Sequence, residues 1–221
     1  MATTSEDAIA KAAAEEEKKQ EEVAVEVEPK TGVSFPVKLD DGKHLNCVGV
    51  RKKSMLGLGI KIYGFGMYAD NEKLKDLFKS KFGKSPEKLN KELYQWVIDS
   101  DVGMVVRLVI VFSSLTMSMV RKNFEEGLGA SINKLTGGKK NDELANKLMG
   151  EASGNIKLTP GSLIEISRLP GFVLETKVMG EVISKVESEL LCRAYINLYL
   201  GDDPLDKDAK DKFGMSLISL F

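Results

Sequence analysis

The chain has 221 residues, 43% of them apolar and 29% charged, with 32 Lys and Arg against 33 Asp and Glu. That composition suits one soluble domain with a tail and excludes a chain disordered throughout. No apolar run approaches the ~20 residues needed to span a bilayer, and a net charge of −1 lacks the basic footprint of a nucleic-acid binder.

Residues 1–30 hold nine acids and four bases, so this segment carries −5 and the remainder +4. It has no aromatic residue and includes the run Ala12 to Glu17. Such a segment buries too little apolar surface to offset its ordering entropy. We read residues 1–31 as an acidic flexible leader and residues 32–221 as the folded domain. The leader lacks the Arg-rich, acid-poor character of a transit peptide and the apolar centre of a secretory signal.

From Val33 the pattern alternates through Phe35, Val37 and Leu39, which is strand periodicity. Asp40-Asp41-Gly42 signals a turn. A second strand runs through Leu45, Cys47 and Val50 to the basic cluster Arg51-Lys52-Lys53. A third covers Leu56 to Tyr68, with Lys61, Tyr63, Phe65 and Met67 on one face and Ile60, Ile62, Gly64, Gly66 and Tyr68 on the other. Its glycines suggest bulges or a close approach by backbone or ligand. Helices are predicted over 71–82 and 86–98, the latter with Ser85 as N-cap and Pro86 at the first position. Met104 to Phe112 is rich in Val and Ile, as in a central strand. Met117, Val120, Phe124, Leu128, Ile132 and Leu135 then fall at helical steps, closed by Gly137-Gly138. A shorter helix is predicted over 142–152. A hairpin follows, its strands around Leu163 to Ile166 and Phe172 to Met179. Helices over about 181–199 and 207–213 complete the chain. Antiparallel-compatible strands with helices clustered later define an α+β fold, with helices on one side of a mostly antiparallel sheet.

Few residues announce chemistry. His44 is the only histidine, so a Ser–His–Asp or Cys–His triad would need it as base. A His-rich zinc site is excluded. Cys47 and Cys192 read as reduced, buried thiols. Gly57-Leu58-Gly59 and Gly64-Phe65-Gly66 superficially suggest a dinucleotide fingerprint. They lie within a strand, however, where no phosphate-binding turn forms. No metal and no cofactor is expected. Arg107 interrupts the apolar run 104–112 and needs a partner or an edge. Arg51 and Tyr63 read equally well as a solvated strand end and an ordinary strand aromatic.

The stretch Gly49-Val50-Arg51-Lys52-Lys53, followed by Ile60 to Asp70, resembles the chalcone isomerase superfamily. Segments Met117 to Leu128 and Leu190 to Asp202 fit the same family. The resemblance covers about residues 32–221 and is closest to the plant plastid fatty-acid-binding, non-catalytic branch. It implies an open-faced sandwich: a large antiparallel sheet covered by a layer of helices, with a ligand cleft between. In the isomerases an Arg holds the attacking phenolate, and hydroxyl and amide side chains polarise the ketone and grip the far hydroxyl. Carried onto this chain, the Arg is Arg51, the Thr twelve residues on is Tyr63, and the Tyr position is Met117. The Asn position falls on Phe124, or on Asn123 if the helix slips by one, and the last hydroxyl position is Leu198. The fatty-acid-binding branch holds a carboxylate with an Arg and a Tyr, matched here by Arg51 and Tyr63. Phe65, Met117, Phe124 and Leu198 would line the apolar cleft.

The resemblance therefore implies a monomeric, non-catalytic binder of a long-chain fatty acid. Its partner is an amphipathic small molecule, with no nucleic acid and no transmembrane segment. Its compartment is the chloroplast stroma for a mature plant form and the cytoplasm otherwise. The alternatives are a weak or latent chalcone isomerase, with Arg51 catalytic, and a non-catalytic helper of flavonoid enzymes.

Overall fold

The computed structural model describes residues 24–55, 58–83, 90–139, 141–150 and 156–220. Six strands form one antiparallel sheet in sequence order: β3 (His44–Met55), β4 (Leu58–Ala69), β5 (Met104–Ile110), β6 (Leu163–Leu169), β7 (Val173–Val178) and β8 (Glu181–Glu187). Two further strands, β1 (Val25–Val27) and β2 (Ser34–Pro36), pair only with each other. The helices are α1 (Asn71–Phe82), α2 (Lys91–Asp99), α3 (Met117–Leu135), α4 (Asp142–Asn146), α5 (Glu189–Leu200) and α6 (Lys207–Ile218). A single 3₁₀ turn, Lys147–Met149, follows α4. Among the described residues no helix is long and apolar enough to cross a membrane.

Helix boundaries follow local side-chain chemistry. Asp70, Asn90, Thr116 and Ser188 each accept a hydrogen bond from a backbone N–H of the first turn of α1, α2, α3 and α5, satisfying donors that have no intrahelical partner. Gly83 closes α1 at φ 62°, a conformation that costs glycine little. The expected N-cap Ser85 and the expected first helical residue Pro86 lie outside the described residues, and the described helix α2 follows Asn90 as its N-cap.

Alternation in the strands divides the apolar side chains between two faces. The helix-covered face carries Cys47, Phe65, Met67, Leu108 and Ile166 in the main core. The opposite face carries Val48, Tyr68 and Val105, which pack with Phe35 of β2. The β1–β2 hairpin lies over that second face where the strand glycines admit it. A Cβ on Gly66 would sit 2.8 Å from the Phe35 ring, and one on Gly64 would sit 2.9 Å from Thr31 Oγ1. Further along, the same face is ionic: Arg107 meets Glu165 at 2.8 Å, and Glu175 is approached by Lys177 and Lys185. Arg107 and Glu165 are direct cross-strand partners, so the charge inside an apolar run is neutralised on the outer face.

Three expectations differ from the structure. Residues 1–23 of the expected leader lie outside the described residues, but residues 24–31 belong to the fold. Val25–Val27 pairs with β2. Glu28, 2% exposed, accepts hydrogen bonds from the Lys30 and Thr31 backbone N–H groups and from the Thr31 hydroxyl. Folded structure thus precedes the boundary expected at Gly32. Second, the helix predicted over 181–199 is a strand followed by a helix. Glu181–Glu187 pairs with β7, and Ser188 caps α5. The β-branched residues at 182, 183 and 186 favour an edge strand. Met179 and Gly180, at φ 52° and 87°, form the two-residue turn that returns the chain onto the sheet. Third, the helix predicted over 142–152 ends at Asn146 and tightens into the 3₁₀ turn, with residues 151–152 undescribed.

Candidate functional site

Arg51 and Tyr63 face each other directly across the β3–β4 pair, and the register shifts immediately after them, where Lys52 pairs with Lys61. Ile62 is the extra residue, a bulge in β4. The bulge exchanges the faces of the strand. Before it, Tyr63, Phe65 and Met67 point toward the helices, as alternation predicts. Beyond it Ile60 and Ile62 do so, and Lys61 does not, which reverses the expected sides. Ile62 and Tyr63 therefore project into the same cavity although adjacent in sequence.

That cavity, about 50 Å³, lies between sheet and helices. Its floor is Leu108, Ile110 and Ile164 from β5 and β6. Its roof is Val120, Phe124 and Gly127 of α3 with Leu198 of α5, and Leu115 and Leu205 complete the apolar lining. The polar residues lining it are Arg51, Lys53, Tyr63 and Asn123. No acid lines it among the described residues, so two cations, a phenol and an amide face an otherwise apolar volume.

Of the six residues expected to form the site, Arg51, Tyr63, Phe124 and Leu198 line this cavity. Phe65 and Met117 do not. Phe65 is 1% exposed, its ring meets Tyr199 edge-on at 5.1 Å, and it packs under Gly49 against Ala209 of α6. Met117 opens α3 and is buried in the core. The two alternatives for the helix position, Asn123 and Phe124, both reach the cavity. Sequence reasoning missed Lys53, whose alternation with Arg51 on one strand could have found it. It also missed Tyr195 and Tyr199, whose i, i+4 spacing on α5 marks one helix face.

The electrostatics are asymmetric. Arg51 is half-buried, and among the described residues no hydrogen-bond acceptor or carboxylate meets its guanidinium. Burial pushes the Tyr63 phenol above its ordinary pKa, and the neighbouring Arg51 charge and the Tyr199 hydroxyl oppose that shift. Tyr63 therefore stays protonated at neutral pH and remains a donor. Behind it, the Tyr195 and Tyr199 hydroxyls lie 3.4 Å apart, and burial raises both well above the usual phenol range. Lys53 Nζ donates to Asn123 Oδ1 at 2.7 Å, and Asn123 Nδ2 donates to the Met119 carbonyl. Next to Arg51, the Val50 N–H donates to Asp206, the N-cap of α6, whose carboxylate also accepts from the Asp208 and Ala209 N–H groups. The site can present a fixed positive charge and a neutral phenol donor to an acceptor group while burying an apolar body. The lining supplies no nucleophile–base pair.

The sequence profile of the family described as chalcone isomerase-like matches residues 30–213. The chain is 62% identical over 200 residues to Chalcone isomerase-like protein 1 of Humulus lupulus, covering 90% of this chain and 94% of that protein. It is 39% identical over 191 residues to Fatty-acid-binding protein 1 of Arabidopsis thaliana, covering 85% and 68%. The crystal structure of an Arabidopsis thaliana fatty-acid binding protein superimposes with a TM-score of 0.82 at 38% identity, covering 89% of this chain and 98% of that one.

Proposed function

Since the chain belongs to the chalcone isomerase-like family, we propose that it binds a fatty acid without transforming it, the carboxylate meeting Arg51 and Tyr63 and the tail entering the apolar cavity. The observation that carries this reading is the half-buried Arg51 guanidinium, unpartnered among the described residues, beside a protonated phenol in a cavity that no described acid lines. A cation withdrawn from water without a counter-charge is costly, and a carboxylate supplies that charge with parallel acceptors. Each buried methylene adds roughly 0.8 kcal/mol, offset by ordering costs. A cavity of about 50 Å³ is smaller than the ~150 Å³ that admits benzene in a well-studied engineered protein. A long tail therefore requires Phe124, Leu198 or Leu205 to yield, and medium chains should bind before long ones.

Calorimetry with laurate and dodecanol on wild type, Arg51→Ala and Tyr63→Phe tests the reading. Arg51→Ala is expected to weaken laurate by about 2–5 kcal/mol, and Tyr63→Phe by about 1 kcal/mol. Dodecanol should respond far less to Arg51→Ala. Equal weakening of acid and alcohol, or binding of neither by wild type, would overturn it. The resemblance to plastid fatty-acid-binding proteins makes the plastid stroma the compartment of this reading, and a monomer its form.

One observation favours a second reading: the likeness to the hop protein exceeds that to the fatty-acid-binding protein. The chain would then assist flavonoid enzymes as a non-catalytic partner. Copurification with a polyketide synthase, together with absent laurate binding, would select it.

A further inference from the structure

The positive charge of the cavity exceeds what one carboxylate neutralises. Arg51 and Lys53 are two residues apart on β3 and line the same cavity, so both side chains project from one face at its mouth. Neither has a carboxylate partner among the described residues. Lys53 is exposed, but its amino group is held at the mouth. Its Nζ is held 2.7 Å from Asn123 Oδ1, across the mouth from β3 to α3. Asn123 is itself fixed by its bond to the Met119 carbonyl at 2.7 Å. An amide oxygen places the ammonium group but cancels none of its charge. Asp206, the acid that reaches the same strand, has both oxygens committed to backbone N–H groups of Val50, Asp208 and Ala209.

We propose that Lys53 is a second head-group cation of this cavity, and that the preferred ligand is an amphiphile with a doubly charged head, an alkyl phosphate monoester ahead of the matching carboxylic acid. This rests on the amphiphile-binding reading above. A phosphate monoester carries −1.5 to −2 near neutral pH and presents three acceptor oxygens. Arg51 takes two of them side by side, and Lys53 exchanges its Asn123 contact for the third. A monocarboxylate satisfies Arg51 and Tyr63 and leaves Lys53 on Asn123. The cavity thereby ranks heads by charge, while the apolar lining ranks tails by length.

Dodecyl phosphate, laurate and dodecanol, titrated below their micelle concentrations at about pH 7.5 into the full chain and into Lys53→Met, test the assignment. Wild type is expected to bind dodecyl phosphate roughly tenfold more tightly than laurate. Lys53→Met, an exposed position, should erase that margin by weakening the phosphate about tenfold more than the acid. Equal affinity for the two anions in wild type, or equal losses in Lys53→Met, would overturn the role of Lys53 while leaving the fatty-acid reading intact. Binding of none of the three amphiphiles would overturn both.

Discussion

Arg168 is fully buried on β6 and donates to the Val97, Ile98 and Val102 carbonyls at 2.8–3.2 Å. Its side chain ends the α2 helix by satisfying carbonyls that have no intrahelical partner. Burial lowers its pKa to about 10, still charged at neutral pH. Among the described residues Arg51 has no such partners. The two arginines should therefore respond oppositely. Arg168→Met leaves buried carbonyls unpaired and is expected to cost about 3 kcal/mol in urea denaturation. Arg51→Met removes an uncompensated charge and should leave stability unchanged within about 0.5 kcal/mol or raise it, while removing acid binding. At the same scale, Tyr63 brings the one hydroxyl among the residues lining the cavity, where the resemblance to the isomerases implies several polar groups on a ketone substrate. Met117 does not line it, and Phe124 and Leu198 face it with hydrocarbon. We expect naringenin chalcone to cyclise at the spontaneous rate in its presence. A clear acceleration lost in Arg51→Ala would show an isomerase instead.

Among the elements, the β1–β2 hairpin is held by contacts that only small residues on β4 permit. Gly66 lies under the Phe35 ring and the Leu45 side chain, whereas Gly59, on the same strand, meets nothing within 4 Å of an added Cβ. Gly66→Ala should therefore cost about 1–3 kcal/mol by overpacking. Gly59→Ala should be neutral or stabilising by a few tenths of a kcal/mol, through the unfolded chain. Denaturant melts of the two variants check the contrast, and equal effects would show that the hairpin packs loosely. The bulge at Ile62 acts at this scale too. It turns two consecutive residues into the cavity and so sets Arg51, Tyr63 and Lys53 around one mouth.

Across the whole molecule, all five tyrosines, Tyr63, Tyr68, Tyr94, Tyr195 and Tyr199, have raised pKa values with burial as the first cause. Tyr68 and Tyr94 are pushed up to about 12. An unfolded chain ionises its phenols near pH 10. Between about 10 and 12 the native state holds more protons than the unfolded one, so stability falls as pH rises through that window. Below about pH 9 these groups leave stability unchanged. Absorbance at 295 nm should show almost no tyrosinate until the protein unfolds, then ionisation of all five in one step that coincides with loss of circular dichroism. Native-state ionisation of more than two tyrosines would contradict the burial of the Tyr63, Tyr195 and Tyr199 group.

The sequence alone determined the antiparallel strands β3 to β7 and the helices α1 and α3 with matching ends, whereas Arg51 and Tyr63 are brought together only by the family resemblance, and the register places them opposite each other. The strands and helices rest on local periodicity, capping chemistry or spacing within one hairpin, which short segments carry. It misread 181–187 because charged residues beside β-branched ones are compatible with both helix and strand. Pairing with β7, a tertiary contact, chose the strand. Period and resemblance set Phe65 and Met117 on the helix-covered side, which gives a face but not a depth, and neither lines the cavity. Packing of Phe65 against Tyr199 and Ala209 decides that. Only the folded sheet, with its bulge, brought Lys53 and Asn123 together across the cavity mouth, since their contact spans 70 residues and no local pattern encodes it.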